Sequence, residues 1–338
     1  MRIHATSRLV GLALFILSTQ TATVNAVSVY YSEVGFGDSV NRQEADPTVA
    51  TGSHTTLITL PGGTQDPRGI AVDTLNGKIY YGDGRSIARM NLDGSSPTTI
   101  IPLSFTPGDI EVDPIGGKIY YSTLFAAPAG NGIFSANLDG TGITTIHTNA
   151  SLMSAMAPAT VTVNDVFNLS IDTSAGLLYW TADNGANAGM IGLNVSSIGG
   201  GGVSQLFVAA NLGRLDLDFD GALAYYTVLG GIDEVRRSTL TGGGVTTLVT
   251  GIGGPSGIAL DLTNEEMYFF VGGRIHQRDL NGTAIASKLI TGGGGFAVSD
   301  IQVVVPEPST PVFVGIGLFA WFLNLRHRRR VHETPAEG

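Results

Sequence analysis

Short apolar segments, each followed by turn residues, recur along residues 27–304 and predict a chain of β-strands. The clearest unit has four such segments, at residues 69–73, 78–83, 87–94 and 98–101. Asn-Gly and Asp-Gly steps separate the segments, and these steps tolerate the positive φ angles that tight hairpins need. The unit therefore predicts a four-stranded antiparallel meander.

Four further copies of this unit follow along the chain. The tyrosine of the second segment marks each copy, at Tyr80, Tyr120, Tyr179, Tyr225 and Tyr268. The spacings between these tyrosines are 40, 59, 46 and 43 residues, and the longest spacing contains an insertion around residues 151–162. A repeat of about 40–45 residues is typical of β-propeller blades.

The two ends of this region predict a sixth blade. Residues 29–33 look like a second strand without a first, and residues 40–44 and 57–60 supply the third and fourth strands. Residues 300–304 look like a first strand with nothing after it. Pairing of residues 29–33 with residues 300–304 closes a ring and leaves no open sheet edge.

The repeat can be compared with a known family. The segment Leu178-Tyr179-Trp180-Thr181, followed closely by Asp183, resembles the YWTD repeat of lipoprotein-receptor class B propellers, together with residues 79–83 and the Asn-Leu-Asp-Gly turns. The resemblance covers residues 27–304 and implies an all-β, six-bladed β-propeller of four-stranded antiparallel blades.

Composition agrees with an all-β chain and narrows the chemistry. The chain has 47 glycines among 338 residues, which suits turns rather than helix interiors. It has no cysteine, which excludes disulfides, thiolate catalysis and cysteine-bound zinc. Residues 27–305 contain 12 basic and 25 acidic residues, and this charge repels nucleic acid and anionic lipid. We therefore expect no nucleic-acid partner, and the acidic surface is explained by solubility.

Residues 1–26 predict a secretory signal peptide. Arg2 and Arg8 form a positive start, and the apolar run 9–17 is too short to span a bilayer as a mature helix. Val24 and Ala26 occupy the −3 and −1 positions, so cleavage is expected after Ala26. The prediction implies export through the Sec machinery.

Residues 305–330 predict a second targeting signal, and residues 331–338 form a short tail. The sorting motif is Pro306, Glu307 and Pro308. An apolar helix suited to a membrane follows, with Phe313, Val314, Ile316, Leu318, Phe319, Trp321, Phe322 and Leu323. The basic cluster that would stay cytoplasmic is Arg326, Arg328, Arg329 and Arg330.

This order of motif, short apolar helix and arginine cluster resembles the PEP-CTERM sorting signal. The resemblance implies recognition by an exosortase, a membrane-bound transpeptidase-like enzyme, cleavage near the motif, and delivery to the cell surface or exopolysaccharide matrix. The alternative is a permanent tail anchor. The two differ in whether the mature protein still contains Trp321.

Residues that recur in every unit have structural explanations. An aspartate ends the first strand of five units, at Asp73, Asp113, Asp172, Asp218 and Asp261. A carboxylate in that position can accept backbone N–H bonds from the following turn. The repeated tyrosines and Trp180 are expected to pack between blades.

One segment suggests a metal site. Asp216, Asp218 and Asp220 match the first half of a calcium loop, with oxygens at alternate positions. Thr227 stands where such a loop carries its bidentate glutamate, and Asp218 is also the aspartate of the repeat. Calcium is therefore a weak candidate cofactor, and no other cofactor is predicted.

Two functions remain open at this point. The first is a non-catalytic binding or structural module at the cell surface, engaging exopolysaccharide or another protein. The second is a metal-dependent lactonase or other hydrolase with a divalent ion in the central channel. Glu111, Asp109, Asn168 and Asp216 lie on or beside the predicted innermost strands and are its candidate ligands.

Overall fold

The computed structural model describes residues 27–35, 38–45, 54–61, 66–124, 132–148, 151–152, 166–183, 190–289 and 297–305. The signal peptide, the sorting motif, the tail helix, the arginine cluster and most of the predicted insertion lie outside these residues. No helix in the described part of the chain has the length and apolar character needed to cross a membrane. The described strands form six four-stranded antiparallel sheets, the blades of a β-propeller.

The blades are numbered from the one that contains both chain ends. Blade 1 consists of β24 (Ala297–Val304), β1 (Val27–Val34), β2 (Ser39–Ala45) and β3 (His54–Thr59). Blade 2 is β4 (Ile70–Asp73), β5 (Lys78–Gly82), β6 (Ser86–Asn91) and β7 (Thr98–Pro102). Blade 3 is β8 (Thr106–Asp113), β9 (Lys118–Leu124), β10 (Gly132–Asn137) and β11 (Thr144–Thr148).

The second half of the chain continues in the same order. Blade 4 is β12 (Val166–Asp172), β13 (Leu177–Asp183), β14 (Met190–Ser197) and β15 (Ser204–Ala210). Blade 5 is β16 (Leu212–Asp218), β17 (Leu223–Val228), β18 (Glu234–Thr239) and β19 (Thr246–Val249). Blade 6 is β20 (Ser256–Asp261), β21 (Glu266–Val271), β22 (Arg274–Asp279) and β23 (Ala284–Leu289).

Blade 1 confirms the predicted closure of the ring. Strand β24 pairs antiparallel with β1, with Ser28 opposite Val304 and Tyr31 opposite Ile301. Strand β2 then pairs with the other side of β1, and β3 pairs with β2. The first and last described strands of the chain therefore share one sheet.

Blade 4 contains a strand that the sequence repeat did not predict. Strand β14 lies between β13 and β15, with Asn194 opposite Trp180. The missing signal is the turn that ends the third strand, since the Asn-Leu-Asp-Gly sequence of blades 2 and 3 is replaced here by Ser197-Ile198-Gly199-Gly200. Strand β14 is therefore placed in the blade by its pairing with β13 and β15.

The hydrophobic core is divided among the six spaces between successive blades. Each second strand carries at least two adjacent aromatic residues, and neighbours along the strand point to opposite faces of the blade. In blade 2, Tyr80 packs with Ile110 and Tyr121 of blade 3, whereas Tyr81 packs with Tyr30 of blade 1. The prediction that the repeated aromatic residues pack between blades is confirmed for Tyr80, Tyr179, Trp180, Tyr225 and Tyr268.

The aspartates that end the first strands cap the following turns, as predicted. Asp73 accepts a 2.8 Å hydrogen bond from the Asn76 amide, and Asp218 accepts one of 2.8 Å from the Gly221 amide. The aspartates at 113, 172 and 261 accept equivalent bonds within their own turns. These carboxylates therefore stabilise the turns.

The direction of the innermost strands defines two faces of the ring. Side-chain hydrogen bonds join equivalent positions on neighbouring innermost strands, so these strands run in one direction. We call the face at which they begin the upper face, and the face at which they end the lower face. Because β24 ends at Val304 and β1 begins at Val27 beside it, the first and last described strands have these two ends at the lower face.

Candidate functional site

Polar side chains from several blades meet near the axis of the ring. The set consists of Asp109, Glu111, Asn168, Arg214, Asp216, Ser299 and Asp300, all on innermost strands. The sequence had singled out four of these residues, namely Asp109, Glu111, Asn168 and Asp216. It missed Arg214, Ser299 and Asp300, although Asp300 precedes an isoleucine in the same way as Asp109 does.

Three aspartates of this set link one blade to the next. In each, Oδ1 accepts the backbone N–H of the following residue, and Oδ2 accepts a backbone N–H from the adjacent blade. The bonds between blades join Asp300 to Ile70 at 2.9 Å, Asp109 to Leu169 at 2.6 Å and Asp216 to Leu260 at 2.8 Å. These carboxylates therefore hold blades 1 to 2, 3 to 4 and 5 to 6.

Other residues serve the alternate junctions. A Cβ on Gly69 would lie 2.8 Å from the Asp109 Cα, so its absence lets β4 and β8 approach closely. A Cβ on Gly257 would lie 2.8 Å from a side-chain carbon of Ile301, which allows β20 and β24 to approach as well. Between blades 4 and 5, the Asn168 amide donates a 3.3 Å hydrogen bond to the Gly213 carbonyl.

Burial raises the pKa values of the four carboxyls near the axis, Asp109, Glu111, Asp216 and Asp300. Burial and the neighbouring charge of Asp109 raise the pKa of Asp300 well above its usual range, and the Arg214 guanidinium opposes this shift. Asp109 and Asp300 lie within hydrogen-bonding reach of each other, so they can share a proton. Burial, followed by repulsion from Asp109, Asp300 and Asp216, raises the pKa of Glu111.

Asp216 behaves similarly despite its hydrogen bonds. Burial raises the pKa of Asp216 to about 6, while the two N–H groups that it accepts lower it. The negative charge of Asp216 also raises the pKa of Glu111. The axis therefore carries less negative charge at neutral pH than its four carboxyls suggest.

Arg214 is the cation among these acids. Its Nη1 donates a 3.2 Å hydrogen bond to Asn168 Oδ1, and its Nη2 donates one of 3.1 Å to Ser299 Oγ. Both acceptors are neutral, and the ion pairs formed between described residues do not include Arg214. The half-buried guanidinium thus interacts electrostatically with Asp109 and Asp300 without a direct ion pair, and it keeps spare N–H donors.

A pocket of about 270 Å³ opens at the upper face beside Arg214. Its wall is mostly apolar, and it also contains a second cation, Arg68, which forms an ion pair with Asp66 at 3.3 Å. The apolar side chains that line it are Phe167, Ile191, Leu212, Leu229 and Pro255. We call this site, with Arg214 and Arg68, the Arg214 pocket.

The three aspartates of the predicted calcium loop lie in different places and accept different hydrogen bonds. Asp216 lies at the axis with both oxygens bonded to backbone N–H groups, whereas Asp218 caps the turn before β17 and Asp220 is exposed. No group of three or more His, Asp or Glu side chains in the described part of the chain is placed to hold a metal ion. Calcium binding by Asp216, Asp218 and Asp220 stays a prediction.

Comparison with known proteins supports the fold. No family model and no curated protein matches the chain. A nidogen YWTD propeller from the crystal structure of a nidogen/laminin complex superposes with a TM-score of 0.65 at 17% identity, covering 82% of this chain and 98% of that chain.

Bacterial propellers are similar at lower scores. A gluconolactonase from Xanthomonas campestris has a TM-score of 0.56 at 12% identity, covering 79% of this chain and 85% of that chain. TolB from Acinetobacter baumannii has a TM-score of 0.54 at 12% identity, covering 82% of this chain and 67% of that chain. At these identities the likeness establishes a six-bladed propeller fold and no function.

Proposed function

We propose that this protein is an exported, non-catalytic binding module that displays the Arg214 pocket at the cell surface or in the extracellular matrix. An exosortase-type enzyme processes its tail after export through the Sec machinery. The observation that carries the proposal is the position at which β1 begins and β24 ends. Both points lie at the lower face, whereas the pocket opens at the upper face. Residues 27 and 304, where the strands begin and end, therefore lie on the face opposite the pocket.

The carboxyls at the axis support a non-catalytic role. Asp109, Asp216 and Asp300 each give both oxygens to backbone N–H groups that hold the blades together. Each carboxylate oxygen has two lone pairs, and in these three residues one lone pair of each oxygen is used for a hydrogen bond within or between blades. Carboxylates engaged in this way are suited to closing the ring.

Processing of the exported chain tests the proposal. In cells that contain an exosortase, mass spectrometry should find a mature chain that begins at Val27 and lacks Trp321. Glu307→Ala should keep the tail, while Glu333→Ala, beyond the arginine cluster, should be processed normally. A mature wild-type chain that retains Trp321 would instead support a permanent tail anchor.

Binding is tested separately from processing. The upper face is expected to retain the protein on exopolysaccharide or a surface protein recovered from the matrix. Leu229→Glu at the pocket should reduce this retention, whereas Leu75→Glu at a turn of the lower face should not. Equal retention of the two variants would contradict a role for the pocket.

A metal-dependent lactonase is the second candidate. The observation that favours it is the electrostatic repulsion that Glu111 experiences from Asp109, Asp216 and Asp300, although the described acids are not placed as a metal-binding group. A screen of lactones and esters with added calcium or manganese tests this candidate. Turnover that Glu111→Gln abolishes would replace the non-catalytic proposal.

A further inference from the structure

We propose that the Arg214 pocket binds a small, ring-bearing carboxylate, with the anion on Arg214 and the ring against Phe167 and Leu229. This inference rests on the proposed binding function of the same pocket and adds the chemical class of its ligand. An aromatic acid and the uronic-acid end of an acidic polysaccharide share this chemistry.

The state of Arg214 favours an anion. Its two hydrogen bonds go to the neutral oxygens of Asn168 and Ser299, at 3.2 Å and 3.1 Å, so its charge is not paired directly. Guanidinium groups present several N–H donors in a planar fork that matches a carboxylate. The aspartates nearest to it are Asp109 and Asp300, and their mutual contact leaves less than two full negative charges to oppose an incoming anion.

The size and lining of the pocket favour one ring. Its volume of about 270 Å³ is slightly below the range of about 300–1,000 Å³ for drug-sized ligands. Phe167 offers an aromatic surface, and Leu229 at the rim is 38% exposed, which makes it one of the exposed large apolar side chains. A ligand ring that covers these side chains removes apolar surface from water.

The test is calorimetric titration of the full-length chain in detergent with benzoate and with benzamide, its neutral counterpart. Benzoate should bind with a dissociation constant on the order of 1 mM, and benzamide at least about tenfold more weakly. Galacturonate and glucose form the second pair, and galacturonate binding more tightly than benzoate would identify a uronic acid as the source. Arg214→Gln should weaken carboxylate binding at least about tenfold.

Matched variants separate the site from general effects. Arg237→Gln removes an arginine of the same blade that bonds to the Leu280 carbonyl, and it should leave binding unchanged. Leu229→Glu adds a negative charge at the pocket rim and should weaken benzoate binding, whereas Ile232→Glu in the same loop, 50% exposed, should not. If Arg214→Gln fails to fold, the comparison of Leu229→Glu with Ile232→Glu tests whether the ligand binds in the pocket.

Two results would overturn the inference. One is equal affinity for benzoate and benzamide, or no binding of either carboxylate. The other is unchanged benzoate affinity in Leu229→Glu. Either result leaves the processing and matrix-binding experiments untouched, so failure of the ligand class is distinguishable from failure of the proposed function.

Discussion

At the scale of single residues, the aspartates near the axis replace a missing backbone partner. The innermost strand of each blade has an edge that faces the channel, and its N–H groups find no further strand there. A carboxylate placed on the neighbouring strand accepts two such groups at once, as Asp216 does with Leu217 and Leu260. For the ionised carboxylate of Asp216 the cost of burial exceeds what these two hydrogen bonds return, because its pKa is raised although both bonds lower it.

We predict that Asp216→Ala lowers the free energy of unfolding by about 1–3 kcal/mol. The substitution leaves the Leu217 and Leu260 amides without their acceptor. Urea unfolding followed by circular dichroism measures the change. Asp220→Ala on the same turn removes an exposed carboxyl and should change stability by less than about 0.5 kcal/mol. Equal losses in the two variants would contradict the linking role.

Two glycines with the same backbone conformation make a sharper comparison. Gly69 has φ +68° and Gly77 has φ +64°, so alanine is strained at both. Only at Gly69 would the added Cβ meet another chain segment, 2.8 Å from the Asp109 Cα and the Ile110 amide nitrogen. At Gly77 no atom lies within 4 Å.

We therefore predict that Gly69→Ala is more destabilising than Gly77→Ala. The Gly77 variant should lose about 1 kcal/mol from its positive φ alone. The Gly69 variant should lose several kcal/mol more, because β4 and β8 must move apart. Thermal unfolding of the two variants side by side measures the difference, and similar melting temperatures would contradict close contact between these strands.

At the scale of the strands, the unit of stability is the junction between two blades. Tyr268 of blade 6 packs with Val29, Tyr31 and Ile301 of blade 1, so the last junction along the chain joins its two ends. Each blade is a thin sheet that cannot bury both faces alone, and the neighbours cover them. The closing strand β24 therefore contributes both pairing within blade 1 and burial against blade 6.

We predict that Ile301→Ala lowers the free energy of unfolding by about 2–5 kcal/mol. Ile301 is 2% exposed within the junction of blades 6 and 1. Ile115→Ala is the matched control, because Ile115 in the turn between β8 and β9 is 93% exposed. Denaturant unfolding should show a change within about 0.5 kcal/mol for Ile115→Ala. A small loss in Ile301→Ala would argue that the ends are only loosely closed.

At the scale of the whole molecule, the acids at the axis set the response to pH. The pKa values of Asp109, Glu111, Asp216 and Asp300 are raised by folding, which buries these carboxyls. Between the unfolded and folded pKa values, the folded state holds more protons than the unfolded state does. Stability therefore falls as pH rises through this window, which for Asp216 extends from about 4 to about 6.

We predict a melting temperature that increases when the pH is lowered from 8 to about 5. Below about pH 4 the trend should reverse, because hydrogen bonds within their turns lower the pKa of aspartates such as Asp93 and Asp172. Glu111→Gln removes one titrating group and should flatten the increase, which a series of thermal melts measures. A melting temperature highest at pH 8 would contradict protonated acids at the axis.

Much of the architecture could be predicted from the sequence, because its signals are local. Strand and turn propensities repeat at each blade, and the tyrosines at 80, 120, 179, 225 and 268 mark the register without reference to distant residues. The half-blades at residues 29–33 and 300–304 were recognisable for the same reason. The third strand of blade 4, β14 (Met190–Ser197), was missed where its turn sequence departs from the repeat.

The candidate site was decided only by the tertiary structure. Asp109 and Asp300 are far apart in the chain and meet because Gly69 lets blades 2 and 3 approach closely. Arg214 donates a hydrogen bond to Ser299, 85 positions away in the chain, because the blades are arranged in a ring. Sequence determines which residues form each strand, since that depends on neighbours along the chain. Which side chains share the axis depends on how six sheets pack, and packing is a property of the closed ring.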